Sequence, residues 1–264
     1  MDLNNKVVIV TGGSSGIGAA TALLFTKEGS RVVIVGRNEK KLKNVAGECE
    51  KLGNKPLVIV ADVSKDPEAK RIIETTVSQY GQIDVLVNNA GISRSAGIGD
   101  ENALNLFDEI MAVNLRSVVY LTHLATPYLV ASKGNIINVS SIASTGVIAP
   151  KSFAYCTSKA GLDHFSRCVA LELAPKGVRC NIVNPGPVRT DIIENSGFNA
   201  EIAAAIWKSM EKATLLGRVS DSNEVADLVV FLASDKAKGI TGSSFVTDNG
   251  SSLLGVISSP IFEQ

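Results

Sequence analysis

Two side chains capable of proton transfer, Tyr155 and Lys159, lie four positions apart in the stretch SFAYCTSKAGLDHF at residues 152–165. The stretch has the pattern of a helix near its start, so the two side chains are predicted to share one helical face. Free Tyr and Lys side chains have pKa values of roughly 10 and 10.4, too high for acid–base work at neutral pH. The pair is therefore either a tuned proton-handling device or a surface turn, and the local pattern alone favours the surface turn.

A glycine-rich stretch, TGGSSGIG at residues 11–18, joins an apolar run to a helical pattern. Gly12 permits a tight turn, Gly16 lets the backbone approach a pyrophosphate, and Gly18 lets the helix pack closely on the strand. The helix N-terminus adds free N–H groups and a partial positive charge. The spacing is G-x-x-x-G-x-G rather than G-x-G-x-x-G, and the Gly-Lys-Ser/Thr of a Walker loop is absent. The stretch predicts dinucleotide binding, with a merely structural turn as the alternative.

The composition of the 264 residues argues against several classes of protein. The formal net charge is +0, so there is no basic footprint for nucleic acid. The apolar runs are too short to span a membrane, and the first residues lack the layout of a signal peptide. The four cysteines and two histidines have no metal-ligand spacing, so no metal site is predicted. A cytoplasmic protein with reduced thiols is expected.

Short apolar runs alternate with amphipathic helical patterns along the chain. The runs predict seven strands, at residues 6–11, 31–36, 56–61, 83–87, 134–140, 178–183 and 244–247. Strands that are apolar throughout are buried on both faces, as in parallel sheets. The predicted fold class is α/β: one Rossmann-type domain over residues 1–264, with a doubly wound parallel sheet of about seven strands and helices on both faces.

The longest departure from the β–α rhythm covers residues 189–220 and contains the single tryptophan, Trp207. Insertions after strand C-termini lie next to the ligand crevice in open α/β sheets. The segment is predicted to be a helical lid over a substrate. A structural or oligomer-contact helix pair is the alternative.

Taken together and in this order, the motifs resemble those of the short-chain dehydrogenase/reductase family over nearly the whole chain. Besides TGGSSGIG and YCTSK, the matching motifs are ADV with Asp62, NNAG at 88–91, AVNLRS with Asn114, NVSS ending at Ser141, and NPGPVRT at 184–190. Ser141 precedes Tyr155 by one position more than is usual, which leaves Ser140 as a weaker candidate for the same role. TDNG at 247–250 replaces the usual Val-Asp-Gly-Gly, and its Asn249 tolerates a left-handed backbone.

The resemblance implies a hydride transfer between a nicotinamide and a carbonyl or alcohol, and it reverses the surface-turn interpretation of Tyr155. Tyr155 would be the acid or base, Lys159 would lower its pKa, and Ser141 would hydrogen-bond the substrate oxygen. Asn114 would hold a water that links Lys159 to solvent. The implied cofactor-binding residues are Gly12, Ser14, Ser15, Gly16, Ile17, Gly18, Arg37, Asp62, Val63, Asn89, Ala90, Gly91, Tyr155, Lys159, Pro185, Gly186, Val188 and Thr190.

The end of the second strand, VVIVGRNEKK, bears on the choice of cofactor. An acidic residue there would bind the 2′-hydroxyl of NAD, but Gly36 stands in its place and Arg37 follows. A guanidinium suits a 2′-phosphate, so NADP(H) is favoured over NAD(H). Against this, Ser15 is not the basic residue that often makes a second phosphate contact, and Arg37 also has an interpretation as a solvated charge at a helix start.

The substrate is less well defined by the sequence. The predicted substrate contacts are Ser141, Ile92, Arg94, Ala143, Val147, Ile193 and Trp207. Mostly apolar, they suit a lipophilic ketone or secondary alcohol, such as a steroid-like ring, an acyl thioester or a xenobiotic carbonyl. A dehydratase or epimerase that retains its cofactor, and a non-catalytic dinucleotide sensor, are the alternatives. The resemblance also implies a homotetramer, less often a homodimer, assembled through helices at about 103–131 and 155–174.

Overall fold

The computed structural model describes residues 2–191 and 199–254. In these residues, seven parallel strands form one sheet in the order β3-β2-β1-β4-β5-β6-β7. The strands are β1 (Val7–Thr11), β2 (Arg31–Gly36), β3 (Leu57–Val60), β4 (Val85–Asn88), β5 (Asn135–Val139), β6 (Arg179–Pro185) and β7 (Ser244–Thr247). Each predicted strand is confirmed, with bounds that agree to within two residues.

Helices cover both faces of the sheet. They are α1 (Gly16–Lys27), α2 (Glu39–Leu52), α3 (Asp66–Tyr80), α4 (Ala103–Met111), α5 (Ser117–Ser132), α6 (Phe153–Leu173), α7 (Ala200–Lys212) and α8 (Ser222–Ala233). Successive strand residues enter opposite cores: Val8 and Val10 pack with α1, α2 and α8, whereas Ile9 packs with α3, α5 and α6. Because every strand residue of β1 is buried on one face or the other, its sequence is apolar throughout.

The strand order reverses beside β1, which pairs with β2 on one side and with β4 on the other. Chain connections from β1 and β4 therefore leave the sheet in opposite directions and open a crevice at the carboxyl ends of the strands. Both glycine-containing stretches of the sequence, TGGSSGIG and NNAG, fall at this edge. The topology thus places the predicted site residues on one side of the molecule.

Two predicted helical segments differ in detail from the structure. The predicted helix at 103–131 is interrupted by a π-helical turn, Ala112–Arg116, between α4 and α5. The other, predicted from Tyr155, begins two residues earlier, at Phe153. An inserted residue in a π turn changes the direction of its side chains, and such turns are frequent at functional sites. Across the described residues, none of the helices is long and apolar enough to cross a membrane.

Candidate active site

A cleft of about 1570 Å³ runs along the carboxyl edge of the sheet from Arg37 to Trp207. Every predicted cofactor-binding residue except Gly18 lines it, as do Ser141, Ile92, Arg94, Val147 and Trp207 from the substrate list. Ile193 lies outside the described residues. The structure therefore brings together, in one cleft, predicted residues as far apart in the chain as Gly12 and Trp207.

The glycine turn has the geometry of a phosphate cradle. Gly12 and Gly16 have φ angles of +67° and +53°, which side-chain-bearing residues rarely adopt. A Cβ on Gly18 would lie 2.2 Å from the carbonyl oxygen of Gly12, so Gly18 contributes close packing rather than a cleft surface. Ser15, at the N-cap of α1, makes no side-chain capping hydrogen bond, which leaves the first N–H groups of the helix for a ligand. The turn fits a dinucleotide pyrophosphate.

The NNAG motif fastens the glycine turn to the neighbouring strand. Asn89 donates from Nδ2 to the carbonyl oxygen of Thr11 at 2.9 Å, and its backbone N–H donates to Thr11 Oγ1 at 3.0 Å. Asn88 Nδ2 donates to Asn138 Oδ1 at 2.8 Å and so bridges β4 and β5. Asn88 therefore bridges two strands, whereas Asn89 lines the cleft.

Charged side chains of both signs line the end of the cleft next to β2. Arg37 lines the cleft, and its charge helps to lower the pKa of Asp62, although burial opposes this and hydrogen bonds from Ser64 contribute more. A Cβ on Gly36 would lie 3.3 Å from Ser14 Oγ, so a side chain at this position would contact the glycine turn. Lys41, in the first turn of α2, forms an ion pair with Asp191 across the cleft.

Ser141, Tyr155 and Lys159 line the middle of the cleft. The Ser141 Oγ accepts from the Ala143 N–H at 3.1 Å. The Lys159 Nζ lies 5.8 Å from the centroid of the Tyr155 ring and donates to the Val139 carbonyl at 3.0 Å. Ser140 Oγ donates to the Lys159 carbonyl at 3.4 Å, so Ser141 is the serine whose hydroxyl proton is available in the cleft.

The pKa values of this group differ from the sequence-based expectation. Burial raises the pKa of Tyr155, and the neighbouring Ser141 hydroxyl opposes the rise only in part. The pKa of Lys159 is lowered to about 8 by burial, which Asp163 opposes by its charge. The net shift of the Tyr155 pKa is thus upward in this structure, because removal from water disfavours the charged phenolate.

Asn114 lies in the π turn, and its side chain is fully buried beside the cleft. Its Oδ1 accepts from the Ile92 N–H at 2.8 Å, and its Nδ2 donates to the Ile92 carbonyl at 2.9 Å and to Ser158 Oγ at 3.1 Å. A Cβ on Gly91 would lie 3.4 Å from Asn114 Oδ1 and 3.6 Å from Lys159 Nζ, so both atoms face the same point. Asn114 therefore ties the loop after β4 to the helix that carries Tyr155.

The substrate end of the cleft is lined partly by apolar side chains. Ile206, Trp207 and Met210 of α7 face Val147 and Ile148 of the loop after β5 across it. Arg94 lies on the wall and donates to the Ser93 carbonyl at 2.9 Å. Ala143 does not line the cleft, and its prediction as a substrate contact is wrong: its side chain is only 2% exposed because the turn after Ser141 buries it against the protein.

Several lining residues were not predicted from the sequence. Lys41 and Asp191 were missed although Lys41 follows Arg37 by one helical turn, a spacing that places both near one end of a helix. Met210 follows Ile206 by four positions and Trp207 by three, so this helical spacing carried a usable signal. Leu254 lies near the end of the described chain, and no motif pointed to it. The described residues contain no cluster of His, Cys, Asp and Glu that could hold a metal ion.

Comparison with known proteins agrees with this geometry. Residues 12–252 match the family described as enoyl-(acyl carrier protein) reductase. The chain is 36% identical over 252 residues to the 3-oxoacyl-(acyl-carrier-protein) reductase FabG of Thermotoga maritima, covering 95% of this chain and 99% of that protein. It is also 36% identical over 247 residues to cyclohexanol dehydrogenase of an Acinetobacter species, covering 93% and 94%.

A solved structure extends the likeness to three dimensions. A short-chain dehydrogenase/reductase of Caenorhabditis elegans, crystallised with its cofactor, superposes with a TM-score of 0.92 at 35% identity, covering 96% of this chain and 97% of that one. Identity at this level over nearly the full length of both chains indicates common descent as well as a common fold. The chain therefore belongs to the short-chain dehydrogenase/reductase family, oxidoreductases that use a nicotinamide dinucleotide.

Proposed function

We propose that this protein is an NADP(H)-dependent reductase or dehydrogenase that interconverts a ketone and a secondary alcohol on a lipophilic substrate. The observation that carries the proposal is that Ser141, Tyr155 and Lys159 line one cleft, which continues to the glycine turn, with the Lys159 Nζ 5.8 Å from the centroid of the Tyr155 ring. Phenol, hydroxyl and ammonium there meet the needs of a carbonyl that becomes an alkoxide.

Each of the three side chains has a distinct task in the reduction. Tyr155 gives its phenolic proton to the carbonyl oxygen as the substrate carbon is reduced, and in oxidation it takes that proton back. Ser141 donates a hydrogen bond to the same oxygen and stabilises its developing charge. Lys159 stabilises the tyrosinate that remains, and Asn114 orders the path by which solvent returns the proton. When bound, the dinucleotide supplies or accepts the hydride.

The preference for NADP(H) rests on the end of the cleft next to β2. Gly36 removes the carboxylate that would hold a ribose hydroxyl, and Arg37 supplies a planar donor for a phosphate. Lys41 adds a second cation nearby, although Asp191 already pairs with it. The rest of the dinucleotide would be held by Gly12, Ser14, Ser15, Gly16, Ile17, Gly18, Asp62, Val63, Asn89, Ala90 and Gly91. Its nicotinamide end would be held by Tyr155, Lys159, Pro185, Gly186, Val188 and Thr190.

The apolar substrate end supports a lipophilic carbonyl or alcohol. Trp207, Ile206, Met210, Val147 and Ile148 could bury a ring or an acyl chain, and Ile92 and Arg94 border the reacting centre. The two named relatives act on an acyl-carrier thioester and on a cyclic alcohol, and both are compatible with these walls. Ile193 stays a predicted substrate contact. We also propose that residues 189–220 are a lid on a single-domain chain, since α7 lies on this side of the cleft.

The test is oxidation of NADPH and of NADH by the purified protein, followed by absorbance, with a steroid ketone, a bicyclic diketone, an acetoacetyl thioester and isatin. Turnover of any of them with NADPH in preference to NADH is the expected result. Tight NADPH binding with no turnover of a wide ketone and alcohol panel would overturn the reductase proposal in favour of a dinucleotide sensor.

A dehydratase or epimerase is the other alternative, and it makes a different prediction. Such an enzyme regenerates its cofactor within each cycle, so product would form without net oxidation of NADPH. Product analysis by mass spectrometry alongside the absorbance assay separates the two, because only a reductase forms a product two hydrogens heavier. The complete set of Asn114, Ser141, Tyr155 and Lys159 favours the reductase.

The assembly and location of the protein are further parts of this proposal. We infer a homotetramer, or failing that a homodimer, through α4, α5 and α6, since Leu171 of α6 is 82% exposed and Leu104 and Val119 are exposed on α4 and α5. Light scattering after gel filtration would give the mass directly. A cytoplasmic location is proposed as well; cysteines 49, 156, 168 and 180 are all free thiols in the structure.

A further inference from the structure

A buried carboxyl group, Asp163, lies behind the catalytic residues and has no part in the mechanism above. Its side chain is 3% exposed, and it is one helical turn after Lys159 on α6. Burying a carboxylate is costly unless it is paired and hydrogen-bonded. Asp163 Oδ2 accepts from Asn184 Nδ2 at 2.9 Å, while Oδ1 has no hydrogen-bond partner among the described residues. A buried carboxyl group with one such unpaired oxygen lowers stability, which indicates that it has a role in the protein.

Asn184, the partner of Asp163, connects it to the turn that carries Ser141. The side chain is 2% exposed at the end of β6, directly before Pro185. Its Nδ2 faces the Ser141 carbonyl at 3.1 Å and the Ser144 Oγ at 3.0 Å, in addition to Asp163 Oδ2. Since three acceptors surround an amide nitrogen with two hydrogens, the orientation of this amide is well determined. The Asn184 side chain thus contacts both ends of the turn after β5, at Ser141 and at Ser144.

Lys159 and Arg167 lie one helical turn before and after Asp163 on α6, and of these two cations only Lys159 is buried. The Lys159 ammonium lies near the Tyr155 ring, donates to the Val139 carbonyl of β5 and points to the same space as the Asn114 amide of the π turn. Burial lowers the pKa of Lys159, and the Asp163 carboxyl opposes this through its charge. An ammonium buried to 4% exposure loses its hydration, and a nearby buried carboxylate offsets part of that loss.

We propose that Asp163 and Asn184 are positioning residues: Asn184 holds the turn that carries Ser141 against α6, and Asp163 orients that amide and acts as the buried counter-charge to Lys159. The inference deepens the proposed function and rests on it for the catalytic readouts. The counter-charge role of Asp163 can be tested without substrate, so this inference and the proposed function can fail separately.

Asp163→Asn separates charge from shape. The new amide can accept from Asn184 Nδ2 as the carboxylate does, and its own Nδ2 can donate to Asn184 Oδ1, which lacks a partner among the described residues. The variant should therefore fold at least as well as the wild type at neutral pH. What it removes is the negative charge beside Lys159.

The charge is read out by unfolding at a series of pH values without cofactor or substrate. Burial lowers the pKa of Lys159 from 10.5 to about 8, so between these pH values the unfolded chain binds more protons and stability rises with pH. Without the carboxylate the pKa of Lys159 should fall further, so in Asp163→Asn the rise in the free energy of unfolding should begin about one pH unit lower than in the wild type. Lys159→Met should remove this rise both in the wild type and in Asp163→Asn. If the free energy of unfolding begins to rise at the same pH in Asp163→Asn and in the wild type, Asp163 is not the counter-charge of Lys159.

The positioning half is tested with Asn184→Ala against Asn181→Ala. Asn181 is equally buried on β6, but its amide donates to the Ile240 carbonyl at 2.8 Å, away from Ser141. Both variants should lose stability, whereas only Asn184→Ala should lose kcat, by about tenfold, with an unchanged NADPH dissociation constant. Equal loss of kcat in the two variants would show a merely structural role. If Asn184→Ala does not fold, Asn184→Ser, which keeps one donor, should give an intermediate kcat, and wild-type kcat in that variant would contradict the proposal.

Discussion

The two ends of the cleft are built from different material. At the cofactor end the wall is backbone: a Cβ on Gly18 would meet the Gly12 carbonyl oxygen at 2.2 Å, and one on Gly12 would meet Asn89 Nδ2 at 2.8 Å. At the substrate end the wall is made of side chains on α7, where Ala203 and Trp207 form a small cluster of their own outside the two main cores. The backbone wall at the cofactor end leaves no room for added atoms, whereas the shape of the side-chain wall at the substrate end can be changed by single substitutions.

The catalytic group lies between these ends and shares features of both. Lys159 and Asn114 are locked by hydrogen bonds to the backbone of β5 and of the loop after β4. Ser141 and Tyr155 instead present free faces to the cleft. The difference suggests that chemistry and cofactor binding depend on rigid parts, while substrate choice depends on parts with fewer supporting contacts.

The largest effect is expected from Tyr155→Phe, which removes the proton donor and leaves the ring in place. kcat should fall by about 10²–10⁴-fold with NADPH affinity nearly unchanged, measured by steady-state assay and fluorescence titration. Tyr128→Phe, on α5 and outside the cleft lining, is the matched control and should keep full activity. Substantial turnover by Tyr155→Phe would mean that another group supplies the proton.

Gly18→Ala tests the backbone wall. The added methyl group cannot avoid the Gly12 carbonyl, so we expect about 1–3 kcal/mol of lost stability and weakened NADPH binding. Gly47→Ala in α2 is the control, since a Cβ there has open space and should stabilise the helix by about 0.5–1 kcal/mol. Thermal unfolding and NADPH titration measure both. Unchanged NADPH affinity in Gly18→Ala would show that the turn tolerates displacement.

Arg37→Asp should change the choice of cofactor rather than the rate of the chemistry. Removing a charged donor to phosphate and adding a carboxylate should shift the NADPH-to-NADH ratio of kcat/KM by about 10- to 100-fold toward NADH. Arg31→Asp, exposed at the opposite end of the same strand, should leave the ratio unaltered. An unmoved ratio in Arg37→Asp would return Arg37 to a solvated surface charge.

The smallest effect is expected from Trp207→Ala at the substrate end. The side chain stacks under Arg189, whose guanidinium lies 5.2 Å from the indole ring, and packs on a small cluster. Its loss should raise KM for a lipophilic substrate by up to about tenfold and leave the NADPH dissociation constant alone. Ile202→Ala, exposed on the same helix, is the control. A collapse of NADPH binding in Trp207→Ala would mean that the two ends of the cleft are not independent.

Local patterns were enough to predict the sheet and the cofactor end. Uninterrupted apolar runs signal strands buried on both faces, and the glycines at 12, 16 and 18 signal backbone contacts that admit no side chain. Asn249, with φ of +53°, adopts the left-handed conformation expected of the TDNG turn. These features depend on neighbours in sequence, so a motif of a few residues carries them.

The remaining features depended on long-range contacts. Whether Ala143 faces the cleft or the core, and how far burial raises the pKa of Tyr155, are decided by what packs around these two residues. The Asp163–Asn184 contact joins α6 to β6 across 21 positions, and the NPGPVRT motif that contains Asn184 gave no sign of this partner. The π turn at Asn114 follows in the same way from packing between α4, α5 and α6 rather than from helix propensity.

The sequence by itself therefore predicted the order of the strands and helices, the glycine turn at the cofactor end, and the candidate catalytic side chains. Tertiary structure alone decided which side chains line the substrate end and in which direction the pKa values of Tyr155 and Lys159 shift. The physical reason is that helix, strand and turn signals are local, whereas burial, and with it pKa, depends on atoms brought together from distant parts of the chain.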